Sequence, residues 1–356
     1  MIKNLFIEIN NVKIKIATNK EKYYKYLKNY FRGVSINAIN ERNININVDI
    51  FWEANKWMDY YKGIKQLKNI SLIGSNELVC KNRVVTIKKV GKRKKMICDV
   101  KKEDNKLILK HVFLEKKFKD FLKNILKRKQ QENDFFNITY SCVYYPLIWY
   151  LEYFKDIYVL HASAINVCSN GIIICGLEGI GKTSLALSLL KENNAKFLSD
   201  NLIFYNKKNV FSCYELVRIN KGEKNCLWKN NFKQINELQM RKDLYMAKDN
   251  IISNKIIPKI VIFPEFSSEF SIEKLSMEKA VNRAMISTFL PGELNRYFEY
   301  KAFYGLLDLD INMWKNQYKV LLELFSTLDC YKIKMRKKDG IEDNYLKIYR
   351  EIFDKK

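Results

Sequence analysis

The residues with the clearest chemistry lie between positions 161 and 200. Gly176, Leu177, Glu178, Gly179, Ile180, Gly181, Lys182 and Thr183 fill the pattern G-x4-G-K-[ST] of a P-loop. A phosphate group needs several backbone N–H groups converging on it. The loop around it must therefore be free of crowding Cβ atoms and must open into a helix N-terminus. Three glycines in six residues supply that freedom. Lys182 then brings a point charge to the β and γ phosphates, and the Thr183 hydroxyl is placed to ligate Mg²⁺. ATP and Mg²⁺ are accordingly the expected cofactors, with Ser184 closing the candidate nucleotide-binding set. Phosphoryl transfer also needs a carboxylate, for the metal or to orient an attacking hydroxyl. Asp200, eighteen residues after Lys182, is the candidate for both duties.

The elements that must position these groups are legible on either side. Residues 172–175 are an apolar, β-branched run of the kind that forms a buried strand. Residues 184–192 are mostly good helix formers with apolar positions on several faces. Strand, glycine loop and helix thus follow in the order the motif requires. A glycine turn before a purely structural helix is the competing reading, and it would leave Lys182 without a task. Residues 196–198 begin a further strand ending in Ser199 and Asp200, expected to neighbour the P-loop strand. Ser-Asp-Asn is also ordinary turn composition, so Asp200 as a turn residue stays open. Residues 158–166 read as the strand preceding the P-loop strand and carry His161, which on residue type alone is more often a satisfied core histidine.

Composition sets bounds. The chain has 356 residues, 47% of them hydrophobic and 13% aromatic, which calls for a folded core and excludes global disorder. The net charge of +25 invites nucleic acid, but the lysines are scattered through every segment and no recognition motif accompanies them. A dedicated nucleic-acid surface is therefore the weaker reading, and the dense 89–95 cluster is expected to be a solvated hairpin turn. Eight cysteines without a C-x-x-C pair read as reduced, mostly buried thiols, and no signal peptide is recognised. The longest apolar stretch, 140–151, is too short for a bilayer span and contains Pro146. A cytoplasmic location is expected, with no membrane span. The sequence allows a homo-oligomer.

Along the chain, 1–16 reads as a strand or a hairpin turning at Asn10 and Asn11, and 20–31 as a helix. Strands at 46–51, 70–73, 77–80, 83–89, 96–101 and 106–114 suggest an antiparallel sheet, with His111 at its surface or half-buried. Residues 115–131 read as a basic amphipathic helix, and the polar 129–134 stretch as a domain boundary. The expected organisation is a β-rich domain over 1–130 and a P-loop domain over 131–356. In the latter, 138–154 reads as a helix kinked at Pro146. Strands at 202–205, 210–216, 259–263 and 330–335 alternate with helices at 232–240, 277–290, 312–328 and 342–353.

With these residues in place, the run 160–203, carrying LHASAI, GLEGIGKTSLAL and FLSDNLI, resembles the HPr kinase/phosphorylase superfamily, a fold related to phosphoenolpyruvate carboxykinases. The likeness is greatest to HPr-kinase-like proteins that accompany peptide-modifying and related small-substrate systems. It is specific over roughly 45 residues and weaker to about residue 336. The resemblance implies an α/β fold with a P-loop kinase domain and a smaller, mainly β N-terminal domain. It makes Lys182 the phosphate-binding lysine, Thr183 a magnesium ligand, His161 a catalytic histidine near the phosphates, and Asp200 the first of two acidic residues. The sequence departs from the family at Asn201, in the second acidic position, and at Ser184, where HPr kinases have Glu. The segment CYELVRIN is the nearest counterpart of the family's signature, which makes Glu215 and Arg218 further site candidates. The implied activity is transfer of a phosphoryl group from ATP to a hydroxyl, with serine expected, on a peptide, protein or small molecule. A catalytically weak NTP-binding accessory protein is the alternative that Asn201 leaves open.

Overall fold

In this computed structural model residues 1–356 are described apart from 38–39, 53–59, 61–62, 64–70, 73–76, 91–93, 114–127, 193, 221–229, 236–237, 239–241, 291, 308–311 and 353–356. The expected 115–131 helix therefore lies almost wholly outside the described residues. The chain forms two compact units. One comprises 1–155, 235–244 and 296–311, the other 156–234, 245–295 and 312–356.

The first unit starts from a tight hairpin. Asn10 and Asn11 both take positive φ, 51° and 60°, the left-handed pair that a two-residue turn needs for its twist to match the flanking strands. They join β1 (Lys3–Ile9) to β2 (Val12–Thr18), after which come α1 (Glu21–Tyr30), β3 (Ile46–Trp52), β4 (Ser71–Leu72), β5 (Leu78–Cys80), β6 (Arg83–Val90), β7 (Lys94–Glu103) and β8 (Lys106–Phe113). Their order in one eight-stranded sheet is β1-β2-β3-β8-β7-β6-β5-β4. The sheet is mixed, not antiparallel as expected, because β3 pairs in parallel with both β2 and β8. Alternation within a strand specifies which face is buried but not the direction of its neighbour.

Next come α2 (Arg128–Thr139) and α3 (Tyr145–Lys155), joined by one π-helical turn over Tyr140–Tyr144. Pro146 has no N–H to donate, and the wider turn just before it absorbs the defect that would otherwise break the helix. These helices belong to the first unit, so that unit extends past the boundary expected near residue 130. Side-chain bonds show the attachment: Tyr23 pairs with Thr139 at 3.0 Å, and the Tyr150 hydroxyl donates to the Asn105 carbonyl at 3.0 Å. The polar 129–134 stretch lies within α2.

His111 is fully buried, against the expectation of a surface or half-buried residue. Desolvation holds its imidazole down to about 3, with nearby Asp99 opposing weakly. A second buried polar group is the ion pair of Lys301 and Glu152, both wholly enclosed and 2.8 Å apart, with the Tyr297 hydroxyl donating to Glu152 at 2.7 Å.

The second unit contains β9 (Tyr158–Leu160), β10 (Ala162–Val167), β11 (Asn170–Cys175), α4 (Lys182–Leu189), β12 (Lys196–Ser199), β13 (Ile203–Tyr205), β14 (Val210–Ser212), β15 (Val217–Ile219), β16 (Phe232–Gln234), β17 (Asp243–Ala247), β18 (Lys255–Ile256), β19 (Pro258–Ser267), β20 (Ser271–Lys274) and α5 (Met277–Phe289). The helix α6 (Gly292–Gly305) carries the chain into residues of the first unit, and α7 (Asn312–Phe325), β21 (Asp329–Arg336) and α8 (Gly340–Ile352) complete the second. Residues 232–234 are strand, where a helix over 232–240 was expected. The Phe232 side chain packs into the core beside Phe197, and that tertiary contact overrides local propensity.

The central sheet has the order β12-β10-β11-β19-β21-β20. Strands β11, β19 and β21 run parallel, and β10 is antiparallel to β11. One face packs Ile172, Ile174, Ile260, Ile262 and Ile333 against Leu185, Ala186 and Leu189 of α4 and Ile348 of α8. The other packs Ile173, Val261 and Phe263 against Val281 and Ala284 of α5 and Leu321 and Leu324 of α7. Covering on both faces is why β11 is a continuous apolar run, and each enclosed isoleucine contributes about 1.5–3 kcal/mol. Two smaller sheets, β18-β14-β13-β9 and β15-β17-β16, accompany it.

Candidate active site

At the C-terminal end of β11 the chain turns through Gly176 to Gly181 and enters α4 at Lys182. Gly176 has φ 153° and Gly181, the N-cap of α4, has φ 91°, values that penalise any residue with a Cβ. A Cβ on Gly176 would also meet the Ile180 side chain at 3.1 Å. Leu177, Glu178 and Gly179 are exposed, whereas Ile180, Thr183 and Ser184 are half-buried. Lys182 is 7% exposed and donates to the Leu177 carbonyl at 3.0 Å, so its ammonium sits against the loop. Cys175, just before the loop, is buried with its thiol pushed up by desolvation, which keeps it protonated and unreactive.

The strand leading to Asp200 was expected beside β11, but β10 lies between β12 and β11. Asp200 nevertheless reaches α4. Its carboxylate accepts from the Thr183 hydroxyl, 2.9 and 3.0 Å from the two oxygens, and from the Ser163 hydroxyl at 2.6 Å. Ser163 belongs to the intervening strand and is fully buried, so β10 contributes one of the two hydroxyls that orient the acid. Nothing in the sequence alone assigns Ser163 a role. A hydroxyl inside the apolar LHASAI run was the available signal, since a buried hydroxyl needs a partner.

The single strand expected over 158–166 is broken at His161, with β9 and β10 entering different sheets. His161 is buried and tied to the last turn of α5: its backbone N–H donates to Thr288 Oγ1 at 3.2 Å, and Nδ1 lies 2.9 Å from the Ser287 carbonyl. A carbonyl only accepts, so Nδ1 carries the hydrogen in this contact. His161 is thus oriented toward α5, while Ser163, two residues on, reaches Asp200 on the side of α4.

Asn201 has φ 69°, a left-handed value that Asn tolerates better than most residues. Its side-chain amide donates to Glu215 Oε2 at 3.0 Å. Glu215 and Arg218 are both half-buried, in the connection from β14 to β15 and within β15. The Ser199 hydroxyl lies 2.7 Å from the carbonyl oxygens of both Leu202 and Cys213, fastening the 199–202 turn to the chain two residues before Glu215. Residues 182–183, 199–201 and 215 are therefore linked by direct bonds, with Glu215 joined to the acidic position through Asn201.

Among the described residues no group of three or more His, Cys, Asp or Glu side chains could hold a metal. Magnesium does not require one, since it binds through one or two protein oxygens together with water and phosphate oxygens. The Thr183 hydroxyl and the Asp200 carboxylate, in contact at the start of α4, form such a hard-oxygen pair. No described helix is long and apolar enough to cross a membrane.

Comparison with known proteins agrees with the resemblance read from the sequence. An HPr kinase/phosphorylase of Mycoplasma mycoides subsp. mycoides SC is 35% identical over 74 residues, covering 18% of this chain and 24% of that protein. The match thus spans about a quarter of the relative's length. Among solved structures, the Hpr(Ser) kinase/phosphatase from Coxiella burnetii matches 45% of this chain and 96% of its own at 12% identity, with a TM-score of 0.20. No family model matches the chain. Over those 74 residues the chain is similar to HPr kinase/phosphorylase.

Proposed function

We propose that this chain, similar over part of its length to HPr kinase/phosphorylase, is an ATP- and Mg²⁺-dependent kinase that phosphorylates a hydroxyl, with serine the expected acceptor on a peptide, protein or small molecule. The observation that carries the reading is the Thr183–Asp200 pair at the first turn of α4, directly after a loop whose glycines take positive φ. In this reading residues 176–184 are a P-loop. Its backbone N–H groups and Lys182 hold the phosphates, and Thr183 with Asp200 holds the metal. Magnesium, when bound, supplies charge neutralisation on the transferring group.

The chain's own residues would do the rest by positioning. Ser163 presents the Asp200 carboxylate, which accepts or orients the acceptor's hydroxyl proton. Asn201, next to Asp200 in the chain, holds Glu215, which is the candidate second acid. His161, fixed through α5, is the remaining candidate at the phosphate end. The accessory-protein reading rests on Asn201 replacing an acid; the Asn201–Glu215 bond, which keeps a carboxylate one side chain away, supports the kinase reading instead.

The test has two parts. Calorimetric titration with Mg²⁺ and a non-hydrolysable ATP analogue should show binding that is lost in Lys182→Ala. Labelled ATP, Mg²⁺ and a serine-containing acceptor should then yield labelled acceptor. Unchanged affinity in Lys182→Ala would remove the P-loop assignment, and binding without transfer would favour the accessory protein.

A further inference from the structure

Phe266 is 46% exposed although it lies within the central sheet, on β19, the strand paired in parallel with β11. Two observations fix where it points. Along β19, Ile260 and Ile262 enter the core shared with α4, while Val261 and Phe263 enter the core shared with α5. Side chains alternate along a strand, so Pro264 and Phe266 continue the α4 side. Glu265, between them, forms an ion pair with Arg283 of α5 on the opposite side. The Phe266 ring edge reaches the loop itself, with Cζ 4.0 Å from the position a Cβ on Gly181 would take. Its cross-strand partner Met335 is buried in the α4 core, so the ring rests on packed sheet and presents its outer surface to solvent.

The sheet order separates two sides of the loop. Ser163 on β10 and Asp200 at the end of β12 lie on one side of β11, and Phe266 on β19 lies on the other. If residues 176–184 bind the triphosphate as proposed above, the reacting end faces Asp200 and the nucleoside leaves toward the opposite side. We propose that Phe266 is the platform on which the nucleotide base stacks. A phenyl ring offers a flat apolar surface and no hydrogen-bond donor or acceptor, so it recognises a base by its face and distinguishes poorly between adenine and guanine. Any acceptor must then enter from the β10 and β12 side.

The experiment separates this assignment from the reading it rests on. Binding of Mg²⁺ with ATP, with GTP, and with inorganic tripolyphosphate is measured calorimetrically for the full chain and for Phe266→Ala and Phe266→Trp. Phe266→Ala should weaken ATP and GTP alike by about tenfold or more and leave tripolyphosphate unchanged. Phe266→Trp should retain ATP binding, with its fluorescence altered by ATP and not by tripolyphosphate. Tripolyphosphate binding with ATP affinity unchanged in Phe266→Ala would overturn the base platform while leaving the phosphate loop standing. Equal weakening of ATP and tripolyphosphate would overturn it too, by showing that the ring only shapes the loop. Failure of the unmodified chain to bind either ligand would remove the loop assignment and this inference with it.

Discussion

Replacing Asp200 by Asn removes a charge from the centre of the proposed site with almost no change of shape. Asp200 is 7% exposed, and its carboxylate accepts from two hydroxyls, Ser163 at 2.6 Å and Thr183 at 2.9 Å. An amide can still bond to both, because its oxygen accepts from one hydroxyl and its nitrogen donates to the other after that hydroxyl rotates. Two charge-assisted bonds of about 1.5–3 kcal/mol each become neutral bonds of about 0.5–1.5 kcal/mol each, so roughly 2–3 kcal/mol is lost. Removing a buried charge offsets part of that, leaving a melting shift of a few degrees at most. Turnover should fall far more, by about 10²- to 10⁴-fold, if Asp200 handles the acceptor proton. Ser163→Ala, which removes one of the two orienting hydroxyls and no charge, should fall between, by roughly 10- to 100-fold. Steady-state transfer of label from ATP, with circular dichroism melting of each variant, measures both quantities. Full turnover in Asp200→Asn would show that the base and metal ligand lie elsewhere, and the mechanism argued from the Thr183–Asp200 pair would be wrong.

Asn201→Asp places a carboxylate 3.0 Å from Glu215 where an amide now donates; like charges should raise one pKa of the cluster and make added Mg²⁺ raise the melting temperature more than in the unmodified chain, as thermal shift with and without Mg²⁺ would show. Gly171→Ala drives a Cβ to within about 2.4 Å of the Ile257 carbonyl oxygen and against Pro258 backbone, so chemical denaturation should show a loss of roughly 1–3 kcal/mol or more. Lys301→Met strands the enclosed Glu152 and should cost about 3–5 kcal/mol, whereas the pair of changes Lys301→Met and Glu152→Leu should cost less, a comparison a double-mutant cycle reads directly. His111 binds its proton near pH 3 in the folded chain but near 6.5 when unfolded, so its contribution is whole above about pH 6.5 and is lost as pH falls toward 3, at roughly 1.4 kcal/mol per pH unit. Urea unfolding at several pH values should therefore show a shallower acid loss in His111→Leu, and identical slopes would contradict the burial argument.

What the sequence determined by itself is the local chemistry. Positive φ, the helix start and the buried strand are properties of neighbouring residues, so Gly176, Gly181, Lys182, Thr183 and the 172–175 run could be placed without knowing the fold. The Asn10–Asn11 turn was legible for the same reason. Pairing between distant segments was not, because alternation records burial and is blind to which strand lies alongside. Hence the parallel placement of β3, the insertion of β10 between β11 and β12, and the break at His161 had no local signature. The same limit hid the role of Ser163, which takes its meaning only from Asp200 thirty-seven residues later. His111 reads as polar in a half-exposed strand, and only the packing of the whole sheet encloses it. Asn201 is the sharpest case. In the sequence it reads, through the family resemblance, only as a departure from an acidic position, and it becomes the holder of Glu215 only when the tertiary structure brings the turn after β12 against the chain leaving β14, because a hydrogen bond depends on distance in space and not along the chain.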